Sequence, residues 1–204
     1  MSNLRHVVLV RHGETEGNSS TRFHGANDVA LAEAGRTQMR EVRFAQRRGA
    51  FDGVFASPLQ RSWEAARIVS GGAPVQLLAG LREIDFGRWE GLTKAEIEAA
   101  DPVLYRDWQN DPASFDFPGG EARAAFRARV ERALEAIADS GAASVLVVVH
   151  KGTVRAIAEK LLGTALPPEE PELGGVVVLS RGADGRWFRG RHGAEAPSPE
   201  ERAA

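Results

Sequence analysis

Short apolar runs alternate with longer amphipathic segments along this chain. Val7 to Val10 form one run and Ser144 to Val149 another, and both are almost entirely aliphatic. A strand with one face in water would alternate apolar and polar residues, so these runs predict strands that are covered on both faces. The segment 121–139 instead repeats its apolar residues with the period of an amphipathic helix. This alternation favours an α/β fold.

The same pattern sets the bounds of the expected elements. Strands are expected at 7–10, 53–56, 75–78, 144–149, 174–180 and 186–189. Helices are expected at 14–20, 31–48, 59–70, 93–100, 102–109, 121–139 and 152–163, of which the third begins after Ser57 and Pro58, a typical start signal. The folded domain is expected to span residues 1–192. The polar, proline-containing segment 193–204 is expected to be a disordered tail.

Composition narrows the class of protein. A chain of 204 residues with 43% hydrophobic content is long enough for one well-cored domain. Its 26 basic and 28 acidic residues give a net charge of -2, so no overall field favours nucleic acid or an anionic membrane as a partner. There is no cysteine, which excludes disulfides and a thiol nucleophile and agrees with a reducing compartment. The first apolar run is too short for a signal peptide, so we expect a cytoplasmic protein.

Reactive side chains begin where the first strand ends. Arg11, His12 and Gly13 follow Val10 directly. Ligands usually bind at the carboxyl ends of strands in an α/β sheet, so this triplet falls where a site is expected. Arginine offers a planar fork of donors to an oxyanion, histidine is a nucleophile near neutral pH, and glycine leaves room for a turn. His150 ends the later apolar run in the same way, so the two histidines are expected to be neighbours.

The stretch from Val7 to Asn18 resembles the signature of the histidine phosphatase superfamily, the phosphoglycerate mutase-like proteins. In that family the first strand ends in Arg-His-Gly followed by Glu-Thr, as it does here. Further matching segments follow in the family's order, at 57–66, 81–92, 118–121 and 144–150. The resemblance implies a single-domain three-layer sandwich, with a mostly parallel central sheet flanked by helices. It also implies phosphoryl transfer through a phosphohistidine, without a metal or other cofactor.

The resemblance assigns a role to each matching residue. His12 is the implied nucleophile, and nearby arginines should lower its pKa and keep it unprotonated. Glu83 is the implied proton donor, although Asp85 and Glu90 are competing acids in the same loop; the family pattern leaves Glu90 a structural role. Arg11, Arg61 and His150 are the implied oxyanion cage, and Asn18, Gly25, Lys151 and Gly152 are the expected substrate or phosphate contacts. The helix expected at 14–20 should add free amides below the anion.

Two residues depart from the family pattern. His24 stands where glutamine is common, and Lys151 stands where the family has the first glycine of a His-Gly-Gly run. Lys151 has two interpretations of equal weight. Its side chain either points into solvent or pairs with a second anionic group of the substrate.

Three functions fit these residues. The favoured one is a phosphomonoester hydrolase of the histidine acid phosphatase type, acting on a small phosphorylated metabolite, with a homodimer as a possible assembly. A phosphoglycerate mutase would use the same residues, but the segment from Glu83 to Pro118 is short for the insertion that mutases carry. A non-catalytic phosphate-binding or interaction module would have lost a catalytic residue, and His12 and Glu83 are both present.

Overall fold

The computed structural model describes residues 3–42 and 51–190, in which a six-stranded mixed sheet forms the centre. The strands are β1 (His6–Arg11), β2 (Gly53–Ala56), β3 (Gln76–Leu77), β4 (Ser144–Val149), β5 (Val176–Arg181) and β6 (Trp187–Arg189). Their order is β3-β2-β4-β1-β5-β6; the first four run parallel, β5 is antiparallel to β1, and β6 is antiparallel to β5. The mostly parallel sheet that we expected is confirmed.

Helices cover both faces of this sheet. They are α1 (Glu33–Glu41), α2 (Gln60–Val69), α3 (Lys94–Ala100), α4 (Pro102–Asn110), α5 (Arg123–Asp139) and α6 (Lys151–Leu162). Val8 and Val10 pack with side chains of α1 and α2, whereas Val7 and Leu9 pack with those of α5 and α6. All four valine and leucine side chains of this run are therefore buried, which confirms the prediction of a strand covered on both faces.

One predicted element is wrong and one is only partly described. Residues 14–20 form turns instead of a helix, and Asn18 has a left-handed backbone with φ of 59°. Gly17, Asn18 and Ser19 are poor helix formers, and the segment is too short to overcome that cost. The helix expected at 31–48 begins at Glu33, and residues 43–50 lie outside the described part of the chain, as does the tail 193–204.

Between β3 and α5 the chain forms two short 3₁₀ turns, at Ala79–Leu81 and Gly87–Trp89, and then α3 and α4. Thr93 and Glu96 cap α3 reciprocally, each side chain accepting a hydrogen bond from the other residue's amide. Trp89 is fully buried here among aromatic rings. This segment covers the carboxyl edge of the sheet and carries Glu83. No helix within the described ranges is both long and apolar enough to cross a bilayer.

Candidate active site

Two adjacent parallel strands bring His12 and His150 together. Arg11 at the end of β1 is paired with Val149 at the end of β4, and the amide of His12 donates to the carbonyl of Val149 over 3.0 Å. The two imidazole rings meet edge to face with centroids 5.2 Å apart, and both are buried. The proximity predicted from the two apolar runs is confirmed, because the strand register fixes it.

The surroundings of His12 fix its tautomer. Its Nδ1 lies 2.7 Å from the carbonyl oxygen of Gly13, which can only accept, so Nδ1 carries the proton and Nε2 has a free lone pair. Burial lowers the pKa of His12 well below its ordinary value, and the charges of Arg61 and Arg11 lower it further. His12 is therefore neutral at physiological pH.

Three residues of the expected oxyanion cage carry buried nitrogens without partners. Among the described residues, Nε of Arg11, Nε of Arg61 and both ring nitrogens of His150 have no hydrogen-bond partner. Burial, followed by the charge of Arg61, also lowers the pKa of His150 well below its usual value, so its ring is neutral. Burial lowers the pKa of Arg61 to about 10, which still leaves that side chain cationic at neutral pH. The site therefore holds one buried cation, Arg61, one half-buried cation, Arg11, and several unpaired nitrogens.

Arg61, which the family resemblance assigns to the oxyanion cage, is fully buried. Its guanidinium donates to the carbonyl oxygens of His24, Gly25 and Asn27 over 2.6–3.0 Å. The carboxylate of Glu90 accepts from the amides of the same loop, at 25–27, and from Phe86. Arg61 therefore binds the carbonyls of the 24–27 loop and Glu90 binds its amides. This agrees with the structural role expected of Glu90.

Gly25 is hydrogen-bonded to both of these side chains. Its carbonyl accepts from Arg61 and its amide donates to Glu90. A Cβ at this position would overlap the carbonyl oxygen of Ile84, so only glycine lets the two loops approach so closely.

Glu83 lies at the start of α6, where Gly152 leaves room for it. One carboxylate oxygen of Glu83 accepts from the Gly152 amide over 2.8 Å and the other from the Ile84 amide over 3.0 Å. A Cβ on Gly152 would overlap the Glu83 carboxylate. The amide of Gly152, expected to contact phosphate, is thus occupied by Glu83.

A cavity of about 530 Å³ opens beside His12. Glu83, His24 and Lys151 line it, with Phe23, Phe86 and Leu173 as its apolar part. Lys151 therefore faces this cavity, with its ammonium held by the carbonyl oxygen of Glu169 over 3.0 Å. Asn18 is exposed and is not among the lining residues, whereas its neighbours 19–21 are. No three acidic or histidine side chains of the described ranges come together as metal ligands.

Several lining residues have no sequence signal that singles them out. Gln38 comes from α1, Lys94 from the start of α3, and Glu169 and Glu172 from the loop before β5. The sequence distances between them are long, so only the tertiary fold shows that they share one cavity. Arg155 holds the loop that carries Glu169 and Glu172 in place. Its guanidinium donates hydrogen bonds to the carbonyls of Leu166, Pro167 and Glu170.

A comparison of this chain with known protein families agrees with the fold and with the site described above. Residues 7–188 match the family model of the histidine phosphatase superfamily, branch 1. The chain belongs to that superfamily.

Individual relatives are phosphatases or contain related domains. The chain is 37% identical over 148 residues to a bifunctional protein of Mycobacterium tuberculosis; the match covers 71% of this chain but only 40% of that relative. It is 32% identical to phosphoserine phosphatase 1 of Hydrogenobacter thermophilus, with 78% of this chain and 77% of the relative covered. A mycobacterial glucosyl-3-phosphoglycerate phosphatase solved with VO3 superposes with a TM-score of 0.78, at 29% identity, over 92% of this chain and 98% of that one.

Proposed function

We propose that the protein is a phosphomonoester hydrolase of the histidine acid phosphatase type that works through a phosphohistidine on His12. The observation that carries this proposal is the hydrogen bond from Nδ1 of His12 to the carbonyl of Gly13, which leaves the Nε2 lone pair free. Arg11, Arg61 and His150 each carry a buried nitrogen without a partner, and the ring of His150 packs edge to face on that of His12. A neutral nucleophile next to buried donors suits attack on a phosphoryl group.

In the first step, Nε2 of His12 attacks phosphorus and the bond to the ester oxygen breaks. Arg11 and Arg61 stabilise the negative charge on the non-bridging oxygens, and a ring nitrogen of His150 donates a hydrogen bond to one of them. Glu83 gives its proton to the departing alkoxide, so the alcohol leaves neutral. The products of this step are the alcohol and the phosphohistidine.

In the second step, water attacks the phosphohistidine. Glu83, now a carboxylate, accepts a proton from that water as the bond from phosphorus to Nε2 breaks. Inorganic phosphate leaves, and His12 and Glu83 return to their starting states. All of the proton and phosphoryl transfers are made by side chains already in the site.

The cavity indicates the kind of substrate. Its size suits a small phosphorylated metabolite, and the relatives' names include two phosphatases of that kind. The ammonium of Lys151 lies at the cavity and would pair with a second anionic group of the substrate. We propose that this activity is cytoplasmic; a chain without cysteine agrees with a reducing compartment.

Product analysis tests the proposal. A panel of phosphorylated amino acids, sugar phosphates and organic acid phosphates is incubated with the protein, and inorganic phosphate is measured for each. We expect phosphate release that needs no 2,3-bisphosphoglycerate. Conversion of 3-phosphoglycerate to 2-phosphoglycerate faster than phosphate appears would favour the mutase, and tight phosphate binding without any turnover would favour a non-catalytic module.

A further inference from the structure

The segment that carries Glu83 is held by an arginine on the opposite side of it from the substrate cavity. Arg129 lies in the middle of α5 and its side chain is 20% exposed. Its guanidinium donates to the carbonyl oxygens of Gly80, Arg82 and Glu83 over 2.9, 2.6 and 2.9 Å. Two of these carbonyls belong to Glu83 and the residue before it. Arg129 therefore fixes the backbone from which the acid projects.

Glu121 completes this arrangement. Its two carboxylate oxygens accept from Nε and Nη2 of Arg129, each over 2.7 Å. A guanidinium has five N–H groups, and the three carbonyls and two carboxylate oxygens use all five. Lysine would keep the positive charge, but it has three donors on a single nitrogen and cannot reproduce the planar fork.

Neither Arg129 nor Glu121 lines the cavity beside His12. Both line a second cavity of about 630 Å³, on the other side of Glu83, which itself borders both cavities. The segment is also tied to α6, because Thr153 donates to the carbonyl of Arg82 over 3.2 Å and Gly152 donates to the Glu83 carboxylate. α6 thus fixes one side of the Glu83 segment and Arg129 the other.

We propose that Arg129, oriented by Glu121, is a positioning residue that sets the place of the Glu83 carboxyl for proton transfer to the leaving group. The inference rests on the proposed function of Glu83 as general acid. Without the three hydrogen bonds that Arg129 donates to it, the described side-chain hydrogen bonds to the 80–83 carbonyls come from α6 alone, through Thr153. The carboxyl is then displaced from the leaving oxygen, while His12, Arg11 and Arg61 stay in place.

The dependence of the activity on the leaving group measures this displacement. An alkyl phosphate needs a proton on its departing alkoxide, whereas an aryl phosphate with an acidic phenol needs it far less. The ratio kcat/KM reports only the first step, in which the leaving group departs, whereas kcat also contains the hydrolysis of the phosphohistidine that both substrates share. We expect Arg129→Lys to lower kcat/KM for an alkyl phosphate by about 10- to 100-fold, in line with the effect of a misplacement of about 1 Å. For p-nitrophenyl phosphate the loss in kcat/KM should be under about 3-fold. Equal losses on both substrates, or none on either, would overturn the inference.

Three further variants sharpen the test. Arg132→Lys, an exposed position on the same helix, is the matched control and should behave like the parent protein. Glu121→Gln keeps the shape of the side chain and should reproduce the leaving-group dependence in weaker form, even where Arg129→Lys folds poorly. The double variant Glu83→Gln/Arg129→Lys should lose no more activity on the alkyl phosphate than Glu83→Gln alone, because Arg129 acts through Glu83. Additive losses would contradict the inference.

Glu83→Gln separates this inference from the proposed function. If Glu83→Gln lowers kcat/KM selectively for the alkyl phosphate and Arg129→Lys does not, the positioning role of Arg129 is wrong and Glu83 is still the general acid. If Glu83→Gln lowers kcat/KM equally for both substrates, the assignment of Glu83 as general acid fails, and the inference fails with it.

Discussion

The two halves of the candidate site are built in different ways. His12 and His150 extend from adjacent parallel strands, where the backbone ladder alone sets their separation. Glu83 and the 24–27 loop lie on irregular backbone, which arginine side chains hold by donating to carbonyl oxygens. Arg61, Arg129 and Arg155 each hold a different loop in this way.

This difference shows where the site is vulnerable. The strand half is supported by many small interactions, since every side chain from Val7 to Val10 is buried and each adds a little. The loop half depends on a few buried or half-buried charges, and removing one leaves several backbone groups without partners. We therefore expect substitutions in the strand half to affect mainly the chemistry at neutral pH, whereas those in the loop half change chemistry and stability together.

The largest effect is expected from His12→Ala. Turnover should fall below detection, because the covalent step has no other nucleophile among the residues of the site, while phosphate binding persists through Arg11 and Arg61. The check is acid-labile radiolabel trapped on the parent protein from a labelled phosphoester. Label that survives in His12→Ala, or that resists acid, would contradict the assignment of the nucleophile.

A large effect on stability is expected from Glu90→Gln. The carboxylate accepts from four backbone amides, and an amide side chain offers one oxygen in place of two. The free energy of unfolding should fall by about 1.5 to 3 kcal/mol, the range for hydrogen bonds to a charged group, and kcat should fall with it. Urea denaturation measures this. The exposed residue Glu98 gives the control, and a Glu90→Gln protein as stable as Glu98→Gln would show that the loop has other supports.

A moderate effect is expected from pH. The pKa of both His12 and His150 is lower in the folded protein than in the unfolded chain, so the unfolded chain takes up protons first as the pH falls through about 6.5. Stability should therefore be complete above that pH and fall below it. Each buried histidine adds a slope that approaches about 1.4 kcal/mol per pH unit.

His150→Gln isolates this contribution. Carboxylates titrate alike in both proteins, so the difference between their urea denaturation curves from pH 7.5 to 5.5 reports His150. The variant should lose stability less steeply as the pH falls. Parallel curves for the two proteins would contradict the lowered pKa of His150.

The smallest effect is expected from Lys151→Met, which removes the charge at the cavity and keeps most of the stem. A partly screened pair is worth roughly 0.2 to 1 kcal/mol, so KM for a substrate with a second anionic group should rise by no more than about 5-fold. kcat should stay nearly unchanged, and p-nitrophenyl phosphate should be unaffected. The difference should shrink at high salt. An equal change on both substrates, or in the exposed control Lys160→Met, would show that Lys151 does not contact the substrate.

The sequence by itself determined the two central strands of the sheet, the place of the histidines that follow them, and most of the helices. Aliphatic runs at 7–10 and 144–149 predicted two buried strands, and a histidine follows each run within two residues, so the histidines were expected to be neighbours in the sheet. Helices α2 to α6 were predicted within two residues, because their periodicity and end signals are local properties of the chain. The helix at 14–20 failed because the left-handed turn at Asn18 and the bridge from Thr15 to Leu31 replace it.

Only the tertiary structure decided how the loops are held. Arg61 was expected in the oxyanion cage and is buried against three carbonyls, and no sequence motif sets Arg129 apart from the other arginines of its helix. A sequence records that an arginine is present, but its partners here are backbone oxygens 34 to 49 positions away. Every residue has such a carbonyl, so no pattern of residue types marks it. The partner of each arginine is therefore set by the path of the folded chain.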